Sequence, residues 1–286
     1  MPFRKIVVTG AAGRLAQAAI TELLAHGHGV WGIDCVRPET LRCRFLPVDL
    51  TQPLAVVDAL QGADAVLHLG AIPGPLSQPA SVTYTNNVLS TYNVIEAAAA
   101  LKVSRVVSAS SVFALGWAED ASAFWPESIP VDESHPLTPF EAYGLSKQVG
   151  EDICAAASRR TGMSIVSLRL MNIIAADGYF ALPWPQPTRD RGLRFVMWPY
   201  VDIRDAARSC RLALEADTKG HEACFIAARD TRFDAPTLEL LTEVAPATIR
   251  ITGPLAQNAS VVSIEKAHRL LGFEPEHHWR TYAPKP

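Results

Sequence analysis

Tyr143 and Lys147 stand four residues apart at the start of a stretch with helical apolar spacing, so both side chains leave one face of a helix. A phenol with a pKa near ~10 is too weak a base at neutral pH. A lysine ammonium one turn away favours the phenolate, and lowering the pKa by ~3 units takes about 4 kcal/mol of differential interaction. A second cation beside the phenolate in a water-poor cleft brings that amount within reach. A phenolate held in this way takes the proton of an alcohol. Ser111, the second of two serines that follow the apolar run from Arg105 to Ala109, can hydrogen-bond the same alcohol oxygen. Singly these pieces are common. A Tyr and a Lys at this spacing are more often an ordinary amphipathic pair, and a serine pair at a strand end is more often a turn. Their weight comes from their order behind an earlier stretch.

That stretch is VVTGAAGRLA, from Val7 to Ala16. A β-rich run, Ile6 to Thr9, enters Gly10, Gly13 follows three positions later, and a helical apolar run begins near Leu15 and Ala16. Strand, glycine turn and helix N-terminus in this order form a pyrophosphate site. The turn lets the backbone approach the phosphates, and the unpaired helix N–H groups favour their charge. Gly10, Ala12, Gly13, Arg14 and Leu15 are the expected contacts of a dinucleotide here. A second apolar run, Val30 to Ile33, ends in Asp34, 24 positions after Gly10. A carboxylate about 20 residues beyond the turn suits the adenosine ribose hydroxyls and repels an extra 2′-phosphate, which favours NAD over NADP. Arg37, three residues later, partly offsets that preference. With NAD in place, hydride leaves the substrate carbon for the nicotinamide while Tyr143 takes the hydroxyl proton.

Positioning these groups requires strands that end on one edge. The pattern predicts strands at Ile6–Thr9, Val30–Asp34, Arg44–Val48, Ala65–Leu69, Arg105–Ala109, Ser164–Leu170 and Ala223–Ala227. Helices are expected after the glycine turn and at about Pro53–Leu60, Tyr84–Leu101, Tyr143–Thr161, Asp205–Glu215, Pro236–Val244 and Ile264–Leu271. Strands alternating with helices, most of them apolar throughout, imply an α/β fold with a parallel, doubly wound sheet covered on both faces. Trp117–Pro139 and Ala175–Leu193 read as irregular, proline-punctuated stretches. The expected organisation is a Rossmann domain over 1–171 and a small substrate-binding region over 172–286, with parts of 196–228 returning to the first domain.

The bulk numbers narrow the function classes. A net charge of −3 leaves no electrostatic footprint for nucleic acid or an anionic membrane surface. No apolar run approaches the ~20 residues of a membrane span, and no charged-then-apolar leader precedes the first strand. Five cysteines without CxxC spacing suggest reduced thiols rather than a disulfide framework or a zinc site, and His277 and His278 have no ligand-like partner spacing. The expectation is a cytoplasmic protein with a small-molecule substrate, no metal, no nucleic-acid partner and no membrane partner.

The chain resembles the extended short-chain dehydrogenase/reductase family, often called NAD-dependent epimerase/dehydratase. The resemblance rests on TGAAGRLA, VDL at Asp49, HLGA from His68, NVLSTYNVIEAA from Asn87, SASSVFALG around Ser111, PFEAYGLSK around Tyr143, SLRLMN around Arg169 and YVDIRDAA around Asp202. It covers about the first three quarters of the chain, and the ordered set is specific. The resemblance implies NAD and the trio Ser111, Tyr143 and Lys147. It also implies Asp49 and Leu50 near the adenine, Leu69, Gly70 and Ala71 along the cofactor, and Asn87 in the helix after the fourth strand. It further implies pairing of two copies through the helices at 84–101 and 143–161. Ala16 replaces the family's last glycine, and Ser90 stands at another usual glycine.

Only 28 positions separate Asn172 from Tyr200, where family members acting on nucleotide sugars carry a longer segment that holds the nucleoside diphosphate. In this the chain is similar to the smaller uronate-dehydrogenase-like members. Asn172 and Arg169 are candidate substrate contacts beside Ser111. Arg169 and Arg204 suit a substrate carboxylate or a structural ion pair equally well. His68 and His135 suit substrate contact or local satisfaction, and Trp125, Trp184 and Trp198 read mainly as packing. The expected activity is NAD-dependent oxidation of a hydroxyl on a sugar, sugar acid or similar polyol. The alternatives are a nucleotide-sugar epimerase or dehydratase with retained NAD, and a non-catalytic NAD-binding regulator.

Overall fold

The structure is a computed structural model that describes residues 2–40, 42–116, 125–183 and 198–282. Seven strands form one sheet: β1 (Ile6–Thr9), β2 (Val30–Asp34), β3 (Arg44–Pro47), β4 (Ala65–His68), β5 (Arg105–Ser111), β6 (Ser164–Leu170) and β7 (His221–Ile226). Their order is β7-β6-β5-β4-β1-β2-β3, and every pairing is parallel. The winding reverses between β1 and β4. In such sheets that reversal opens a crevice at the carboxyl ends of the strands, where ligands bind.

Neighbouring strand residues feed opposite layers. Ile6 and Val8 join one buried cluster with Ala16, Ile20 and Leu23 of α1 (Arg14–Ala25) and Ala206, Cys210 and Leu214 of α5 (Ile203–Glu215). Val7, Val66, Val106 and Ile165 join the other, with helices α2 (Pro53–Leu60), α3 (Ala80–Ala100) and α4 (Ala142–Thr161) supplying Val56, Val94 and Cys154. Period-two alternation of side chains in strands that are apolar throughout therefore accounts for two helical layers on one sheet. Truncating a fully buried residue such as Ile6 to Ala costs about 2–5 kcal/mol in a core of this kind.

The regular elements lie where the periodicity places them, with one shift of note. Helix α3 starts at Ala80 rather than near Tyr84, with Pro79 at its N-cap in extended conformation. Proline sets φ and gives up no helical N–H, so it starts a helix ahead of the apolar stripe. Strand β7 comes from beyond the second irregular stretch and pairs with β6, and α5 packs beside α1. Two short parallel pairs, Asn172–Ile174 with Tyr200–Asp202 and Ser128–Ile129 with Arg250–Ile251, tie the later chain to the carboxyl edge. Helices α6 (Thr237–Val244) and α7 (Glu265–Leu271) complete that side. Parts of both irregular stretches, Trp184 among them, fall outside the described residues. All five cysteines are free, and no helix among the described residues is long and apolar enough to cross a membrane.

Candidate active site

The glycine turn is built for close backbone approach. Gly10 has φ +69, and a Cβ there would lie 2.7 Å from the Cα of Gly70 at the end of β4. Gly13 is the N-cap of α1, with no side-chain cap and no acidic residue in the first turn. The first N–H groups of α1 are thus left for an anion, as a pyrophosphate requires. Asp34 accepts a hydrogen bond from the Ala12 N–H at 2.9 Å and from the Val36 N–H at 3.1 Å, which ties the end of β2 to the turn. Arg14 reaches Asp177 at 3.5 Å, with both side chains exposed.

At the other end, Glu141 caps α4. Its carboxylate accepts from the backbone N–H groups of Tyr143 and Gly144, both at 2.6 Å, and so fixes the first turn that carries the tyrosine. Gly144 admits the carbonyl of Phe113, which a Cβ would meet at 2.3 Å. The Phe113 ring stands edge-on to Tyr143 at 5.8 Å between centroids. Ser111 ends β5 and caps the short 3₁₀ turn Val112–Leu115, accepting from the Phe113 N–H at 3.3 Å.

A cleft of about 470 Å³ brings these parts together. Gly10, Gly13, Arg14 and Leu15 line one end, Leu69 and Ala71 the middle, and Ser111, Tyr143, Lys147 and Asn172 the other end. Ala12, Asp34, Asp49, Leu50, Gly70 and Asn87, also expected at the cofactor, are not among the lining residues. Asp49 accepts from Thr51 N–H at 2.9 Å and turns the chain into α2, while the Leu50 carbonyl accepts from Asn93 at 2.9 Å. Asn87 brackets Ile72, accepting from its N–H at 2.8 Å and donating to its carbonyl at 3.1 Å.

Burial dominates the electrostatics at the tyrosine. Burial pushes the Tyr143 phenol up to about 12, with the Ser111 hydroxyl and the Gly74 N–H pulling it back and Glu141 opposing them. Lys147 stands beside the phenol ring. Its ammonium donates to the Ala109 carbonyl at 2.9 Å, 5.5 Å from the Tyr143 ring centroid, and burial lowers it to about 8. Gly74 lies in the irregular stretch 72–81, where substrate determinants are expected, but its N–H is not singled out by any motif. The Pro73-Gly74 pair, a turn signal, was its only local trace.

Arg169 is not in the cleft. It is buried against Glu151, with Nε donating at 3.0 Å and Nη2 at 2.8 Å, and Ser110 donates to the same carboxylate at 2.6 Å. The substrate role expected for Arg169 gives way to the structural ion pair, because Glu151 follows Lys147 by one helical turn and faces the sheet. Arg204 likewise holds Asp202 through two bonds of 2.8 Å. A second cavity of about 380 Å³ adjoins the first and shares Arg14, Asn172, Ile173 and Ala175 with it. Buried Arg232 lines it and donates to the side-chain Oδ1 of Asn172. Nothing in the sequence pattern had marked Arg232.

His68 is buried between Thr9 and Thr91, and His135 meets the Pro136 carbonyl at 2.9 Å. His277 meets Asp205, and no group of three or more His, Cys, Asp or Glu side chains that could hold a metal occurs among the described residues. Trp198 is fully buried, edge-on to Trp125 and Phe233.

The chain has relatives among known proteins. The sequence pattern of the NAD dependent epimerase/dehydratase family matches residues 6–185. The chain is 31% identical to an L-arabinose 1-dehydrogenase (NAD(P)(+)) of Haloferax volcanii over 80% of its own length and 90% of that protein. It is 28% identical to a uronate dehydrogenase of Pseudomonas syringae pv. tomato, over 78% and 74% of the two chains. It is also 25% identical to a UDP-glucose 4-epimerase of Corynebacterium glutamicum, over 96% and 91%. Among solved structures, a short-chain dehydrogenase/reductase superfamily protein from Agrobacterium tumefaciens with bound NAD superposes with a TM-score of 0.74 at 25% identity, covering 97% and 94%.

Proposed function

Because the chain belongs to the NAD dependent epimerase/dehydratase family, we propose that it is an NAD-dependent dehydrogenase that oxidises a hydroxyl of a free sugar, sugar acid or similar polyol. The observation that carries this reading is the convergence of Ser111, Tyr143 and Lys147 on the cleft whose other end is the uncapped N-terminus of α1. The residues present fit NAD: the close approach of Gly10 and Gly70, the open N–H groups after Gly13 and the Asp34 carboxylate beside the turn each suit one part of it. Bound NAD supplies the hydride acceptor.

In this proposal the Ser111 hydroxyl and the Gly74 N–H stabilise the phenolate form of Tyr143, and that phenolate takes the substrate's hydroxyl proton. Lys147, anchored on the Ala109 carbonyl, keeps a positive charge beside the phenol below about pH 8. Asn172 orients the substrate at the boundary of the two cavities. The dehydrogenase is favoured over a nucleotide-sugar epimerase by the short connection between Asn172 and Tyr200, together with the near full-length likeness to a free-sugar dehydrogenase. Two copies pair through α3 and α4, which pack on each other and leave Leu89, Tyr92 and Leu145 exposed. The experiment is a screen of sugars, sugar acids and sugar nucleotides for NAD reduction. Net NADH with a free sugar or sugar acid supports the proposal, and turnover of a nucleotide sugar without net NADH refutes it.

A further inference from the structure

Thr9 and His68 are register partners on β1 and β4, the two strands between which the winding of the sheet reverses. Their side chains therefore share one face, directly under the glycine turn. The Thr9 hydroxyl oxygen receives the N–H of Leu69 at 3.1 Å and that of Gly70 at 2.9 Å, and lies 2.8 Å from His68 Nδ1. On the other side of the ring, His68 Nε2 lies 3.1 Å from the Thr91 hydroxyl on α3.

Counting hydrogens settles the direction of every bond. A hydroxyl has two acceptor positions and one hydrogen. The two amides occupy both acceptor positions, so the Thr9 hydrogen must go to Nδ1, which is then bare. A neutral imidazole with a bare Nδ1 carries its proton on Nε2 and donates it to Thr91. A charged ring would set an N–H against the Thr9 hydrogen. Burial, with Lys147 adding to it, holds the ring neutral by lowering its pKa to about 3.

The position has no slack. A Cβ at Gly70 would lie 2.4 Å from Leu50 Cδ1 and 3.1 Å from the Thr9 hydroxyl oxygen, and the Gly10 and Gly70 backbones already touch. A small turn of the Leu69–Gly70 peptides would move the wall of the cleft that Leu69 and Ala71 form.

We propose that His68 is a positioning residue: held as the Nε2–H tautomer, it orients the Thr9 hydroxyl as a double acceptor for the Leu69 and Gly70 amides and so sets the end of β4 against the dinucleotide turn. The inference rests on the proposed reading of this cleft as the NAD site. Its structural half is independent of that reading.

Two measurements test it on the full chain. In the wild-type protein, histidine side-chain ¹⁵N spectra should show His68 with a bare Nδ1 and a protonated Nε2 at neutral pH. The opposite tautomer or a charged ring overturns the proposal. In the second, NAD binding is measured by calorimetry for Thr9→Val, which keeps the shape and removes the hydroxyl, and for Thr9→Ser, which keeps the hydroxyl. Thr9→Val should weaken NAD binding about tenfold, the scale expected when a buried amide loses its acceptor, and should speed hydrogen exchange at the Leu69 and Gly70 amides. Thr9→Ser should restore both. Wild-type affinity in Thr9→Val, or equal losses in the two variants, overturns the proposal. A wild-type protein with the stated tautomer that fails to bind NAD contradicts the cofactor reading instead.

Discussion

At the scale of single residues, burial moves the two central groups of the cleft in opposite directions. Burial raises Tyr143 to about 12 and lowers Lys147 to about 8. The two shifts act oppositely on stability. Between about pH 8 and the ordinary lysine value of 10.5 the unfolded chain binds more protons at Lys147 than the folded one, so this group makes stability rise with pH across that window. From 10 to about 12 the folded state binds more protons at Tyr143, and stability falls. Lys147→Met should therefore flatten the wild-type rise between pH 8 and 10.5 in denaturant titrations, and an unchanged slope would contradict the burial of the ammonium. Tyr143→Phe should lower kcat by about 10²-fold or more while NAD binding, followed by fluorescence, stays within about twofold. Asp34→Ala should erode discrimination against NADP, read as the ratio of kcat/KM for the two cofactors. An unchanged ratio would remove Asp34 from that role. The trio was legible because its residue types stand at strand ends and on one helix face. The partners of charged side chains were not legible: Arg169 finds Glu151 only once α4 lies across β6, and Lys147 finds the Ala109 carbonyl only once α4 meets the end of β5.

At the scale of elements, the tyrosine is placed by the way α4 begins. Glu141 caps two N–H groups, and Gly144 lets the helix settle on the Phe113 carbonyl. Glu141→Ala should cost about 1 kcal/mol of stability, the usual value of an N-cap, and should lower kcat more than it raises KM, because the phenol is displaced while the pockets remain. Loss of stability with unchanged kcat would show that the cap holds the helix but not the tyrosine. Periodicity located α4 to within a residue because its apolar stripe and its start coincide. It placed α3 too late because Pro79 starts that helix ahead of the stripe. Arg232 and the Gly74 N–H escaped notice for a related reason: both sit on irregular chain, where neither a period of two nor one of 3.6 constrains direction.

At the scale of the whole molecule, parallel winding and its reversal between β1 and β4 bring residues from the first strand and from the middle of the chain to one crevice. That much follows from alternating strands and helices. The second cavity draws on pieces far apart in sequence, Asn172 and Arg232, which meet in a hydrogen bond on its lining. If the protein pairs through α3 and α4, Leu89→Arg together with Tyr92→Glu should convert a dimer to a monomer in sedimentation without removing NAD binding. An unchanged sedimentation coefficient would place any interface elsewhere. The central claim is that the cleft oxidises a free sugar or sugar acid with net transfer of hydride to NAD. It is tested most directly by following NADH absorbance when the purified protein and NAD are mixed with such substrates and, separately, with nucleotide sugars. A steady rise with a free sugar or sugar acid, lost in Tyr143→Phe, is the predicted result. Interconversion of a nucleotide sugar with no net NADH would contradict it.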